Sequence, residues 1–297
     1  MLATLKERFD IYEKLMRLDK PIGILLLLWP TLWALWLSSG GSPDPMIAVI
    51  FVLGVVLMRS AGCIINDFAD RNFDRHVERT KDRPLAARKI APQEALLVAA
   101  VLALLSFLLV LQLNALVIKL SLVALALAVI YPFLKRVFWL PQAWLGVAFG
   151  FGIPMAYAAH LNYVAPLAWV LLLGNIFWAI AYDTAYAMVD RNDDLKLGLK
   201  SSAILFGRFD VAGVMLCHAL FLLCMGYVGY SAPFGVCYFA GLAVAAAVIA
   251  YQYLLIRNRQ REDCFKAFLV NNFVGGAIWA GIVADYLLRA PLPAIPA

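Results

Sequence analysis

The sequence predicts an all-α membrane protein, a bundle of nine transmembrane helices, and three observations lead there. Of 297 residues, 64% are hydrophobic and 15% charged, with a mean hydropathy of +0.83. So little polar surface cannot cover a soluble globule of this size. Apolar stretches about 20 residues long, the length that crosses a bilayer, recur along the whole chain. The connections between them alternate between charged and nearly uncharged.

The apolar stretches fall at 21–39, 46–66, 93–113, 115–134, 142–160, 164–187, 210–229, 234–256 and 267–288. The charged connections are 1–20, 67–92, 135–141, 188–209 and 257–266, which hold 22 of the 25 Lys and Arg residues. Basic loops stay in the cytoplasm, so this side, with the N-terminus, is cytoplasmic and the C-terminus lies outside. In a bacterium this is the inner membrane. Residues 1–20 are mixed in charge and lack a small-residue cleavage site, which suits an amphipathic helix on the membrane surface rather than a signal peptide. The chain reads as one polytopic domain over 1–297, with 67–92 and 188–209 as its long cytoplasmic connections.

Net charge is +6, yet no basic stripe interleaved with aromatic residues accompanies it, so topology rather than nucleic acid accounts for the charge. Cysteines 63, 217, 224, 237 and 264 form no CxxC pair and read as reduced, structural residues. His76, His160 and His218 carry no assigned role, and Lys119 reads as snorkelling to the outer interface. The glycines and proline of FGFGIPMA are expected to bend the fifth span. No obligatory protein partner is evident.

Two short acidic segments interrupt this pattern. Asp70, Arg71, Asn72 and Asp74 recur as Asp190, Arg191, Asn192 and Asp194, at a uniform offset of 120 residues, which suggests two related halves. On a helix, a four-residue step turns about 40° beyond a full circle. Asn66, Asp70 and Asp74 therefore form one slanting stripe, and Asp183, Tyr186, Asp190 and Asp194 form another. A carboxylate near the centre of a membrane helix costs about 2.5–3.5 kcal/mol, so a deep one such as Asp183 needs a partner. Oxygen donors without His or Cys suit a hard cation such as Mg2+, which shares its shell with phosphate oxygens; two facing stripes are suited to clamp a diphosphate. The alternative is that each Asp is an ordinary solvated charge at a membrane end. Lys81 and Arg83, with Lys196 and Lys200, are placed to touch phosphate; the alternative is that they only set orientation.

With these residues in view, the chain resembles the UbiA superfamily of intramembrane aromatic prenyltransferases, within it the ubiquinone-pathway branch acting on 4-hydroxybenzoate. Asn66 to Asp74 (NDFADRNFD) matches the family's NDxxDxxxD, and Asp190 to Asp194 (DRNDD) matches its DxxxD. RLDKPIGILLLLWPTLWAL (17–35), MRSAGCIINDFADRNFDRHVERTKDRPL (58–85), YPFLKR, PQAWLGVAFGFGIPMA and YDTAYAMVDRNDDLKLGLKSSAILFG (182–207) extend the likeness across most of the first 207 residues. The resemblance implies nine helices around a central cavity, with both motifs at a cytoplasmic mouth that binds Mg2+ and a polyprenyl diphosphate. Asn66, Asp70 and Asp74 would serve one ion site and Asp190 and Asp194 the other, with Asp67, Asp183 and Asp193 as supporting metal ligands or groups just outside the ion's shell.

The implied reaction moves the polyprenyl group to the ring carbon ortho to the hydroxyl of 4-hydroxybenzoate and releases diphosphate. An aromatic acid needs a cation for its carboxylate. Arg59 is the first candidate, seven residues before Asn66 and about 20° off its stripe, and Arg136 is the second, equally suited to diphosphate. Asp183 is a candidate to orient the phenol or assist an ion, and Tyr186 to touch substrate, though tyrosines near membrane ends also act as interfacial anchors. A long prenyl chain exceeds a bundle of this size, so a lateral opening to lipid is expected. The rival readings are a transporter of an anionic or phosphorylated solute and a prenyltransferase for another aromatic acceptor.

Overall fold

The structure, a computed structural model, describes residues 2–134 and 136–288. Lys135 of YPFLKR and the C-terminal tail, expected on the outer side, lie outside the described residues. All regular structure among the described residues is helical: α1 (Leu2–Met16), α2 (Ile22–Ser38), α3 (Pro45–Asp70), α4 (Pro92–Val110), α5 (Ala115–Leu134), α6 (Pro141–Gly150), α7 (Gly152–Leu161), α8 (Pro166–Leu197), α9 (Ser202–Phe206), α10 (Asp210–Ser231), α11 (Val236–Ile256) and α12 (Arg261–Leu288). Proline occupies the first turn of α3, α4, α6 and α8. Its missing N–H has no intrahelical partner there in any case, and its fixed φ suits a helix start. Asp44 adds a side-chain cap on α3, accepting from the amides of Met46 at 2.8 Å and Ile47 at 3.0 Å.

Among the described residues, eight stretches are long and apolar enough to cross a membrane, with α6 and α7 taken together and α9 running into α10. The apolar helix α2 has 17 residues, about 26 Å at 1.5 Å per residue, a few ångströms short of the hydrocarbon thickness. Four boundaries depart from the sequence expectation by four residues or more, the last being that of the ninth span, which starts at Arg261 and not at 267. The stretch 142–160 is two helices that meet at Phe151; Pro154 cannot donate to the carbonyl of Gly150 and its ring crowds that group, so the bend foreseen for FGFGIPMA is a break. The second span continues four residues past 66, to Asp70, and stops there, so Asp74 lies in a separate 3-10 turn, Asp74–His76, and not on the stripe's helix. The sixth span continues ten residues past 187, to Leu197, where Gly198 at φ +68° ends it. The two acidic segments are thus unlike in backbone: the first folds over a helix end and the second is helical throughout.

Trp33, Trp178 and Phe221 fill the centre, with ring centroids of Trp33 and Trp178 5.3 Å apart and Phe221 stacked on Trp178 at 5.7 Å. Behind them Trp178 Nε1 donates to Asn271 Oδ1 at 3.0 Å, and both Asn271 and His218 meet Gln252 Oε1 at 3.1 Å. Four helices, α8, α10, α11 and α12, are joined by this relay, and polar bonds of this kind hold helices together where lipid provides no hydrophobic drive. α1 does not lie free on a membrane surface. Its Leu15 is buried among Ala61, Ile64 and Ala95, and Arg8 and Tyr12 both reach Glu94 of α4.

Candidate active site

Helices α2 to α8 and α12 enclose a cavity of about 1420 Å³. α10 and α11 contribute none of its lining among the described residues and pack behind it. Asn66, Asp70 and Asp74 line the mouth from the first half, and Asp183, Tyr186, Asp190 and Asp194 from the second. The two segments that repeat at 120 residues therefore open onto the same space.

Arginines bind these carboxylates together. Arg83 Nη1 lies 3.0 Å from Asp67 Oδ1 and 2.9 Å from Asp74 Oδ2, so it bridges the last turn of α3 to the 3-10 turn beyond it. Arg17, just after α1, pairs with the same Asp67 oxygen. Arg79 crosses to the other half: its Nε contacts both oxygens of Asp190, at 3.0 and 3.1 Å, and its guanidinium lies 4.5 Å above the Tyr186 ring. Burial alone would lower the pKa of Arg79, but Tyr186 and Asp190 outweigh it and raise it, so this arginine remains charged. The connection between α3 and α4 is in this way fastened to both acidic segments.

The remaining candidates are placed as follows. Arg59 lines the cavity two helical turns before Asn66 on the same face of α3, and its Nη1 is buried without a hydrogen-bond partner. Gly23 of α2 makes room for it, since a Cβ there would collide with the guanidinium. Lys200 also lines the cavity, with Nζ 3.1 Å from the Val137 carbonyl and 4.4 Å from the Trp139 ring centroid. Arg136 sits at the edge of the mouth, donating to the Ala69 carbonyl at 2.8 Å and lying 4.0 Å from Asp70. Lys81 points elsewhere and pairs with Glu78 at 2.7 Å on the exposed surface; that hydrogen bond raises its pKa. Asp67 is buried beneath its two arginines, and Asp193 pairs with Lys196 and Arg261, each at 3.9 Å.

Sequence reasoning missed Arg17 and Arg79, which read as two more orientation charges; only the density of basic residues in ERTKDR marked the second. It also missed buried Asp210, which accepts from Arg191 at 3.0 Å and Arg259 at 2.8 Å and so anchors the back of the second acidic segment.

Among the described residues no three His, Cys, Asp or Glu side chains form a metal shell by themselves. The donor set is nonetheless all oxygen, spread on two sides of one mouth and already paired with cationic groups. A hard ion that takes most of its ligands from water and phosphate fits such a set; one needing a closed protein cage does not.

The comparisons with known proteins agree with this geometry. The model of the "UbiA prenyltransferase family" matches residues 27–275. The 4-hydroxybenzoate octaprenyltransferase of Dechloromonas aromatica (strain RCB) is 65% identical over 286 residues, 96% of this chain and 97% of that protein. The protein of the same name from Azoarcus sp. (strain BH72) is 63% identical over 285 residues, 96% of this chain and 99% of that protein. The apo structure of a UbiA homologue from Aeropyrum pernix K1 superposes with a TM-score of 0.79 at 25% identity, covering 88% of this chain and 97% of that one. A UbiA homologue from Archaeoglobus fulgidus bound to GPP and Mg2+ superposes with a TM-score of 0.64 at 19% identity, covering 92% of this chain and 99% of that one. With the family model spanning both acidic segments and the relatives matched nearly end to end, the chain belongs to the UbiA prenyltransferase family.

Proposed function

We propose that the protein transfers a polyprenyl group from a polyprenyl diphosphate to the ring carbon ortho to the hydroxyl of 4-hydroxybenzoate, releasing diphosphate, as a Mg2+-dependent step of ubiquinone biosynthesis. The observation that carries this reading is the meeting of two acidic segments, 120 residues apart, at the mouth of one apolar cavity. The names of the relatives, 4-hydroxybenzoate octaprenyltransferase, support the choice of acceptor.

Asn66, Asp70 and Asp74 on one side and Asp190 and Asp194 on the other would hold the ions. When bound, Mg2+ supplies positive charge against the departing diphosphate. Arg79, Arg83 and Lys200 border the same space and can exchange carboxylate or carbonyl partners for phosphate oxygens. The allylic C–O bond breaks with its electrons leaving on diphosphate; the new C–C bond forms to the ring carbon, and the proton on that carbon is then lost. Water would capture the allylic cation, so the reaction needs the apolar wall below the mouth, where the faces of rings such as Tyr182 and Phe268 also favour positive charge. Arg59, whose side chain lines the cavity and whose Nη1 has no hydrogen-bond partner, receives the aromatic carboxylate. Asp183 and Tyr186, seven and four residues before Asp190 on α8 and lining the same cavity, orient the phenol. Asp67 is a strut for Arg17 and Arg83 rather than an ion ligand.

The chain forms one polytopic domain. It crosses the bacterial inner membrane nine times, α2 being the short ninth span, with the N-terminus and the cavity mouth in the cytoplasm. Charge supports this orientation: Arg79, Arg83, Arg136, Arg191, Lys200 and Arg259 all lie on the mouth side. The test is transfer by the purified protein in lipid nanodiscs, supplied with Mg2+, labelled octaprenyl diphosphate and a panel of aromatic acids. Prenylated 4-hydroxybenzoate as the main product is the expected result. No product from any acid, with labelled solute crossing sealed vesicles instead, would favour a transporter.

A further inference from the structure

The two acidic segments are held in place by different forces. The end of α3 that carries Asp67 and Asp70 packs through Ala61 and Ile64 against Leu15 of α1 and Ala95 of α4. The end of α8 has no such bed. Its last buried apolar side chain is Val189; over residues 190–197 Asp190 alone is buried, and Leu195 is exposed. This stretch is about two turns of helix. It carries both candidate ion ligands of the second segment and is fastened through charge rather than through an apolar core.

Its ties fall on two faces. Towards the cavity, Arg79 takes both oxygens of Asp190. These are the atoms that an ion would use. An ion at Asp190 claims at least one of them, and a diphosphate beside it competes for the guanidinium, so the front tie weakens as the site fills. Arg261, 4.0 Å from Asp190 and half-exposed, is a poor substitute.

The back tie uses no ion ligand. Arg191 lies about 100° round the helix from Asp190 and is not part of the cavity lining. Its Nη1 donates to Asp210 Oδ2 at 3.0 Å. Asp210, the first residue of α10, is fully buried. Its Oδ1 accepts from Arg259 Nε at 2.8 Å and from the Val211 amide at 2.7 Å, and Arg259 Nη2 lies 2.7 Å from the same oxygen. Arg259 also donates to the Arg208 carbonyl at 2.9 Å. Its own backbone is left-handed, with φ +56°, a conformation that a residue with a Cβ keeps only where its surroundings fix it. The carboxylate is thus set firmly before Arg191 reaches it.

Resting on the ion-site reading above, we propose that Asp210 is a positioning residue for the second ion site. Through Arg191 it fixes the rotation of the α8 end, so that Asp190 and Asp194 still face the cavity after Arg79 has turned to the diphosphate. Two turns of helix without a packed core fray readily once their ties are cut, and both ligands would then lose register with Asn66 and Asp70. The turn between α11 and α12, remote in sequence from either acidic segment, acts on the ion site by this route.

The test uses Asp210→Asn, Arg191→Gln and the double variant of the full chain in lipid nanodiscs. Without metal, amide hydrogen exchange over residues 190–197 rises about fivefold or more in each, while Trp178–Val189 keeps its protection. With inorganic diphosphate present, the apparent Kd for Mn2+, read by electron paramagnetic resonance, also rises about fivefold or more in each single variant. The double variant stays within about twofold of the weaker single one, because both cut the same link. Loss of the Arg191 cation would by charge alone strengthen the binding of a divalent ion, so weaker binding by Arg191→Gln reports lost geometry. Unchanged Mn2+ affinity in Arg191→Gln, or exchange that rises evenly along all the helices, overturns the proposal. If Asp210→Asn does not fold, Arg191→Gln, whose side chain is 29% exposed, decides on the same two readouts. If the unmodified protein binds no Mn2+ with diphosphate, the ion-site reading itself fails, and this proposal with it.

Discussion

Asp67 and Asp70 lie three residues apart on the last turn of one helix and face opposite demands. Both are buried, but Asp70 lines the mouth, whereas Asp67 lies beneath Arg17 and Arg83 and is not part of the lining. Asp67→Asn takes the carboxylate partner from Arg17 and leaves Arg83 with Asp74 alone, and is expected to lower stability by about 3 kcal/mol without raising the Mg2+ concentration needed for half-maximal rate. Thermal unfolding and a Mg2+ titration check this; a raised Mg2+ requirement with unchanged melting would make Asp67 an ion ligand after all. Asp70→Ala and Asp190→Ala should abolish transfer while the variants still elute as folded, membrane-inserted protein, and near-normal turnover by either would remove the ion assignment. Arg59→Ala should raise KM for 4-hydroxybenzoate at least tenfold and leave KM for the diphosphate donor within about twofold, as read by steady-state kinetics. The acidic residues were legible in the sequence because carboxylates stand out in so apolar a chain. Arg17 and Arg79 were not: a guanidinium in a loop looks the same whether it faces solvent or a carboxylate 111 residues away.

The apolar helices were equally legible, but their ends were not, and the reason is physical. Hydropathy reports the thickness of the bilayer, whereas a helix ends where its backbone hydrogen bonds do. α8 runs on through the polar segment Asp190–Leu197 because nothing stops it until Gly198 adopts a left-handed φ. That extension is what carries Asp190 and Asp194 at helical spacing. Close helix crossings are a second feature that composition hides. A Cβ at Gly146 of α6 would sit 2.7 Å from the Ile176 Cα and 3.2 Å from its carbonyl oxygen. Backbone cannot rotate aside, so Gly146→Ala forces α6 away from α8, on which Asp190 lies. Overpacking of this kind costs about 1–3 kcal/mol, and a fall in the unfolding midpoint in detergent, with no change at Gly226→Ala, where a Cβ meets nothing within 4 Å, is the expected outcome.

Taken together, the two halves divide the labour unequally. Both contribute carboxylates to the mouth, but the long apolar part of the cavity is enclosed mainly by the first 161 residues, while α10 braces α8 and α11 braces α12 from behind. This explains why the last third of the sequence carried no functional signal beyond hydrophobicity: its work is packing, apart from the short stretch of α12 at the mouth and the ties through Asp210. The proposed topology has a direct check. In a cysteine-free background, Arg88→Cys should react with an impermeant maleimide only from the cytoplasmic face, and Asn162→Cys, in the α7–α8 connection, only from outside; the reverse pattern would invert the molecule.

The arginine that joins the two halves also imposes an order on biogenesis. Arg79 leaves the ribosome 111 residues before Asp190, an interval of about 6–22 s at ordinary elongation rates. Throughout that time its charge has no acidic partner from the second half and, on the proposed topology, only helps retain the emerging loop in the cytoplasm. Once α8 has been inserted, the same group becomes the tie that closes the entrance, so a nascent chain arrested before residue 190 has its orientation set but no assembled catalytic mouth.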